Sequence, residues 1–126
     1  MGKNVGHPET DELDGEKIRY HYESGLAYDQ EYQKGTITWT GVDGPHLGYS
    51  QTEKKVVHKI GDNIYFITWF EKATRPSSTG EMRSEGYVIS IVADLNKMVA
   101  TASYNEPVEE GGQKWMLDKA WLEYVE

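Results

Sequence analysis

The sequence predicts an all-β protein: a single antiparallel up-and-down β-barrel of about eight to ten strands with a lumen for a small ligand. Three observations predict it. Short alternating or apolar runs recur about every 8–12 residues, the spacing of strands and turns. Thirteen glycines are scattered between the β-branched and aromatic runs, where turns are needed. The runs follow one another as hairpins, with no long crossover between them, which favours a meander that closes on itself. A chain of 126 residues has room for one core, not two.

Residues 1–14 hold almost no apolar anchors and are expected to be a flexible acidic leader, with 15–126 as the barrel domain. The run Ile18-Arg19-Tyr20-His21-Tyr22 alternates, and Glu23-Ser24-Gly25 turns it back. A second strand covers 27–32, Lys34-Gly35 closes a hairpin, and 36–40 follows with Ile37 and Trp39 on one face. The stretch 41–50, with three glycines and Pro45, reads as a loop or a strongly bulged strand. In 51–60, Val56, His58 and Ile60 share a face that can line the lumen. Gly61-Asp62-Asn63 is the clearest turn. The run 64–70 is apolar on both faces, so it is expected to be a central strand. Polar 72–85 reads as a long loop, 87–93 and 98–104 as strands about the Asp94-Leu95-Asn96-Lys97 turn, and 105–113 as an acidic loop. The tail supports two patterns: a helical face through Trp115, Met116, Ala120 and Tyr124, or a closing strand over 119–125, which is favoured.

The formal net charge is −8, which offers no phosphate-neutralising patch, so neither nucleic acid nor an anionic membrane is expected as a partner. The absence of cysteine excludes disulfides, thiol catalysis and cysteine-ligated metals. No apolar run nears the roughly 20 residues that span a bilayer, and the N-terminus lacks a signal-peptide core, so a cytoplasmic protein is expected. Nine Tyr and four Trp against two Phe suit pocket walls as well as cores, because each carries a polar handle.

Tyr20 and Tyr22 lie on one face about 7 Å apart at a rise of about 3.4 Å per residue. Two hydroxyls at that spacing can each hold one oxygen of a carboxylate; equally, they can be core tyrosines with hydroxyls at the rim. Glu71 continues the row Tyr65, Ile67, Trp69. A carboxylate at the end of such a row is desolvated, which favours proton exchange near neutral pH. The alternative is a strand-end glutamate turned to solvent or paired with Lys72 or Arg75. With Trp39, Trp69, Ile67, Tyr65, Ile89 and His58, these residues form the expected ligand-lining set. His7, His21, His46 and His58 show no metal-ligand spacing, so no metal site is expected. His21 alternates against the tyrosines and is expected outside. Neither a Gly-rich phosphate loop nor a Gly-x-Ser-x-Gly turn is present.

The run Ile18-Arg19-Tyr20-His21-Tyr22-Glu23-Ser24-Gly25-Leu26 resembles the first strand of the bacterial phenolic acid decarboxylases. Tyr65-Phe66-Ile67-Thr68-Trp69-Phe70-Glu71 resembles their Tyr-x-(Ile/Val)-Ser-Trp-x-Glu strand, and Thr36-Ile37-Thr38-Trp39 sits between the two as a comparable strand. The related MoaF-like proteins share this framework, including a later Asp-Leu turn. The resemblance spans roughly 15–104. It implies a lipocalin-like, calycin-type barrel, a lumen ligand that is a small aromatic or hydrophobic acid, and no cofactor. It further implies carboxylate binding by Tyr20 and Tyr22 and proton transfer by Glu71. Thr38-Trp39-Thr40-Gly41 stands where the decarboxylases carry an arginine, and Lys72 where they carry a proline after the glutamate.

Three readings follow. A cofactor-free lyase or isomerase needs Glu71 inside the lumen. A binding protein of the same fold needs only the lumen. A structural domain would fill its barrel with Trp39, Trp69 and the tyrosines and leave no cavity. The barrel rim and the Trp115/Trp121 tail offer a surface for a homodimer.

Overall fold

In the computed structural model, residues 6–71, 75–76, 82–83, 86–107 and 113–126 are described. The strands are β1 (Lys17–Tyr22), β2 (Ala27–Gln33), β3 (Thr36–Asp43), β4 (Ser50–Gly61), β5 (Ile64–Glu71), β6 (Arg75–Pro76), β7 (Met82–Arg83), β8 (Tyr87–Asp94), β9 (Val99–Pro107) and β10 (Gln113–Tyr124). Eight of them close a barrel in the order β1-β10-β9-β8-β5-β4-β3-β2, every pairing antiparallel. This is the predicted meander, closed by β10 against β1 from Ile18–Tyr124 to Tyr22–Ala120. The two-residue strands β6 and β7 pair apart from the barrel. They are the described part of the 72–85 segment, and the rest of that expectation lies outside the described residues. Among the described residues, no helix is long and apolar enough to cross a membrane.

Alternation places the core. Ile18, Ile37, Ile67 and Ile91 are fully buried along the barrel axis, each contributing about 1.5–3 kcal/mol of transfer free energy. Small residues, Ala93, Ala100, Ala102 and Ala120, take further inward positions on β8, β9 and β10.

The tail is one strand from Gln113 to Tyr124, longer than 119–125. Its pairing with β9, from Gln113–Pro107 to Trp121–Val99, rules out the helical alternative. That pairing also carries β9 into the stretch expected to be an acidic loop. Trp115, Leu117, Trp121 and Val99 stand exposed on the outer face of β9 and β10.

Of the expected leader, residues 6–14 are described and lie against the barrel, and residues 1–5 lie outside the described residues. Glu9 bridges His58, Thr10 N–H donates to Val57 O at 3.0 Å, and Lys59 N–H donates to Pro8 O at 2.9 Å. Residues 8–10 thus extend the sheet beside the second half of β4, whose pairing with β3 ends at Lys54. Beyond them the chain turns, and Leu13 enters the core at 3% exposure. Glu12 and Asp14 receive Lys59 at 3.0 Å and Lys55 at 3.2 Å, and Tyr65 donates to Glu12 at 2.8 Å. One end of the barrel is therefore covered by residues 8–14, and two of the acidic residues that suggest mobility, Glu12 and Asp14, help attach them.

Candidate functional site

The other end of the barrel holds a cavity. Its lining combines six aromatic residues (Tyr22, Tyr28, Trp39, Trp69, Tyr87 and Tyr104) with Gln30, His46, Glu71, Asp118, Leu26, Ile89 and Ala102. Its empty space is about 560 Å³, mouth included. Three of the rings interlock edge to face: Tyr28 lies 5.4 Å from Trp39 at 82° and 6.1 Å from Tyr22 at 72°. Such packing, at favourable centroid distances, gives a stiff apolar wall.

Glu71 is 2% exposed and ends the inward row of β5. Its Oε1 accepts the indole N–H of Trp69 at 3.1 Å. Strand alternation puts Trp69 and Glu71 on one face, two residues apart, so the indole both walls the cavity and steers the carboxylate. Glu71 is thus inside the lumen, as an enzyme of the expected kind requires.

The tyrosine pair is split by depth. Tyr20 and Tyr22 share the inward face with ring centroids 6.0 Å apart. Tyr22 lines the cavity, whereas Tyr20 is fully buried below it with its hydroxyl bonded to Tyr32 at 2.7 Å. Tyr32 in turn donates to Gln30 Oε1 at 2.7 Å. Burial pushes the hydroxyls of Tyr20, Tyr22 and Tyr32 well above the ordinary phenol range; at Tyr22 the neighbouring tyrosines and Asp118 add to it.

Of the other expected lining residues, Trp39, Trp69 and Ile89 are at the cavity. Ile67 is buried deeper in the core, and Tyr65 lies at the leader end, where it holds Glu12. Burial first, then Glu12, pushes the Tyr65 hydroxyl up to about 12. His58 is a correction. Val57 takes the inward position on β4, so Val56, His58 and Ile60 face outward, and His58 Nδ1 meets His7 O at 2.7 Å. The inward row contains Lys55 and Lys59, whose charges are met by Asp14 and Glu12. Without the leader in place, that row looks too polar to face the interior. His21 is outside, stacked on Trp121 at 3.8 Å and bonded to Glu123 at 2.6 Å.

His46 is the residue that sequence reasoning passed over. The β3–β4 loop folds it into the cavity, where it is 1% exposed and its Nδ1 is hydrogen-bonded to the Tyr28 hydroxyl. The loop can come this close because residue 41 is glycine. A Cβ there would lie 1.9 Å from His46 O, whereas Gly41 N–H instead donates to Tyr49 O at 2.8 Å. The density of glycine in 41–50 was the available signal. Asp118 and Gln30 were also missed; Asp118 accepts from Ser24 Oγ at 2.5 Å at the mouth. Among the described residues, no group of three or more His, Asp or Glu is arranged to hold a metal ion.

The fold and cavity define a class: a closed, eight-stranded, lipocalin-type barrel with an aromatic lumen open at one end. The pattern of the MoaF C-terminal domain matches residues 7–108, and the chain belongs to that family. The MoaF-like resemblance is thereby borne out. A crystal structure from Burkholderia vietnamiensis, described as "a putative beta-lactamase", is similar in fold, with a TM-score of 0.69 at 13% identity over 96% of this chain and 100% of that one. No curated protein matches the chain.

Proposed function

We propose that the lumen binds a small aromatic acid and acts on it by cofactor-free proton transfer through Glu71, as a lyase of the decarboxylase kind. The single observation that carries this reading is a carboxylate, Glu71, set 2% exposed in an aromatic cavity and held there by Trp69. A para-hydroxycinnamate fits the chemistry. Its alkene carbon next to the carboxylate takes a proton while the phenol loses one, giving a quinone methide. The bond to the carboxylate then breaks, CO2 leaves, its electron pair forms the vinyl double bond and returns the phenolate, and the phenolate oxygen takes back the proton it lost to give the hydroxystyrene. Tyr22 and the Tyr28–His46 pair stand in place to hold the ligand's oxygens.

A second reading, a binding protein with the same lumen and no turnover, is favoured by one observation. None of the described residues lining the cavity is lysine or arginine, so none of them supplies the cation that an anionic substrate would use.

An ultraviolet time course with para-coumarate, ferulate and caffeate, run beside Glu71→Gln, separates the two. Turnover predicts loss of the cinnamate band in the native protein, slowed at least about 100-fold in the variant, the usual worth of a positioned acid or base. A shifted band without decay supports the binding protein. An unchanged spectrum removes hydroxycinnamates as ligands.

A further inference from the structure

Gln30 lines the cavity at 2% exposure, between Tyr28 and Tyr32 in the inward row of β2. Behind it runs a short chain of hydrogen bonds: Tyr20 to Tyr32 at 2.7 Å, and Tyr32 to Gln30 Oε1 at 2.7 Å. Tyr20 is the dead end, since Tyr32 is its hydrogen-bond partner and no other described residue meets its hydroxyl.

Proton counting fixes the direction. Each phenol has one hydrogen to give. If Tyr20 accepted, its own hydrogen would be buried against nothing, so Tyr20 donates to Tyr32. The Tyr32 hydrogen then goes to Gln30, which must turn its carbonyl oxygen back toward Tyr32. Both phenols stay protonated at ordinary pH because burial raises them. With Oε1 held back, the amide nitrogen points the other way. Nε2 meets no acceptor among the described residues, yet it is not one of the atoms sealed from open space. The result is a rigid N–H donor presented to the cavity floor, with its orientation set by residues that never touch a ligand.

We infer that Gln30 is a specificity-determining residue that selects ligands whose buried end carries a hydrogen-bond acceptor, such as the carbonyl oxygen of an aryl ketone, aldehyde or ester. This rests on the lumen being an aromatic-ligand site. A ligand with an acceptor satisfies the amide. A hydrocarbon of the same shape displaces water from it and gives nothing back, which is how built polar sites reject analogues lacking one atom.

The test is a calorimetric titration of the full chain with acetophenone and with isopropenylbenzene, which has the same skeleton with a methylene in place of the oxygen. The Gln30 side-chain amide is followed by NMR in parallel. The ketone is expected to bind roughly tenfold tighter or better, and to move the Gln30 amide signal. In Gln30→Met the preference is expected to vanish. The native comparison needs no variant, so a poorly folding Gln30→Met does not shelter the inference. Equal binding of the two probes overturns it and leaves the lumen reading standing, as does a preference that survives in Gln30→Met. Binding of neither probe overturns this inference, and the hydroxycinnamate spectra show whether the lumen reading falls with it.

Discussion

Tyr32 has more depending on it than its position suggests, because it both accepts from Tyr20 and donates to Gln30. Tyr32→Phe strands a buried hydroxyl on Tyr20 and a carbonyl on Gln30. The expected cost is about 1–3 kcal/mol, read as a lower urea midpoint with an unchanged slope. Tyr20→Phe removes the dead end, leaves Tyr32 bonded to Gln30, and is expected to cost only about 0.5–1.5 kcal/mol. At this scale the sequence was partly legible. Alternation alone placed Tyr20, Tyr22, Trp69 and Glu71 on inward faces. It could not say how far along the barrel each lies, which is why Tyr20 and Ile67 looked like pocket residues and are core. His46 was out of reach because loops have no period, and its place depends on a backbone approach that Gly41 permits.

Among the elements, the leader and β4 must be read together. Leu13 is a core residue contributed by a segment of otherwise polar composition. Leu13→Ala is expected to destabilise the barrel by about 2–5 kcal/mol, the range for a buried leucine, measured by chemical denaturation. A leader that was merely mobile would show almost no change. The strands themselves were largely readable from period-two patterns and turn chemistry; Asp62-Asn63 is a two-residue turn, with Asn63 in the left-handed region at φ 59°. The face of β4 was not readable. A row with lysines at 55 and 59 faces inward only because carboxylates at 12 and 14, more than 40 positions earlier in the chain, come to meet them. Long-range charge pairing of this kind leaves no local pattern.

For the molecule as a whole, the buried phenols set an upper pH limit. Tyr20, Tyr22, Tyr32 and Tyr65 all have hydroxyls raised above their ordinary value of 10.0. Above about pH 10 the unfolded chain releases these protons and the folded one retains them, so stability must fall as pH rises. Below that value their contribution is complete and flat. The expected outcome is a melting temperature that these groups leave unchanged between pH 7 and 9 and that drops beyond about pH 10, with the tyrosinate absorbance of these four groups appearing together with unfolding rather than ahead of it.

The four tryptophans divide evenly between two environments. Trp39 and Trp69 are 3% and 6% exposed at the cavity, and Trp115 and Trp121 are 64% and 55% exposed on the outer wall. The protein therefore carries two built-in optical reporters. Blue-shifted emission from the inner pair responds to whatever occupies the lumen. Red-shifted emission from the outer pair, accessible to an aqueous quencher, responds to whatever touches the wall of β9 and β10. Occupancy of the interior and contact at the exterior can thus be followed separately in the native chain, without attaching a label.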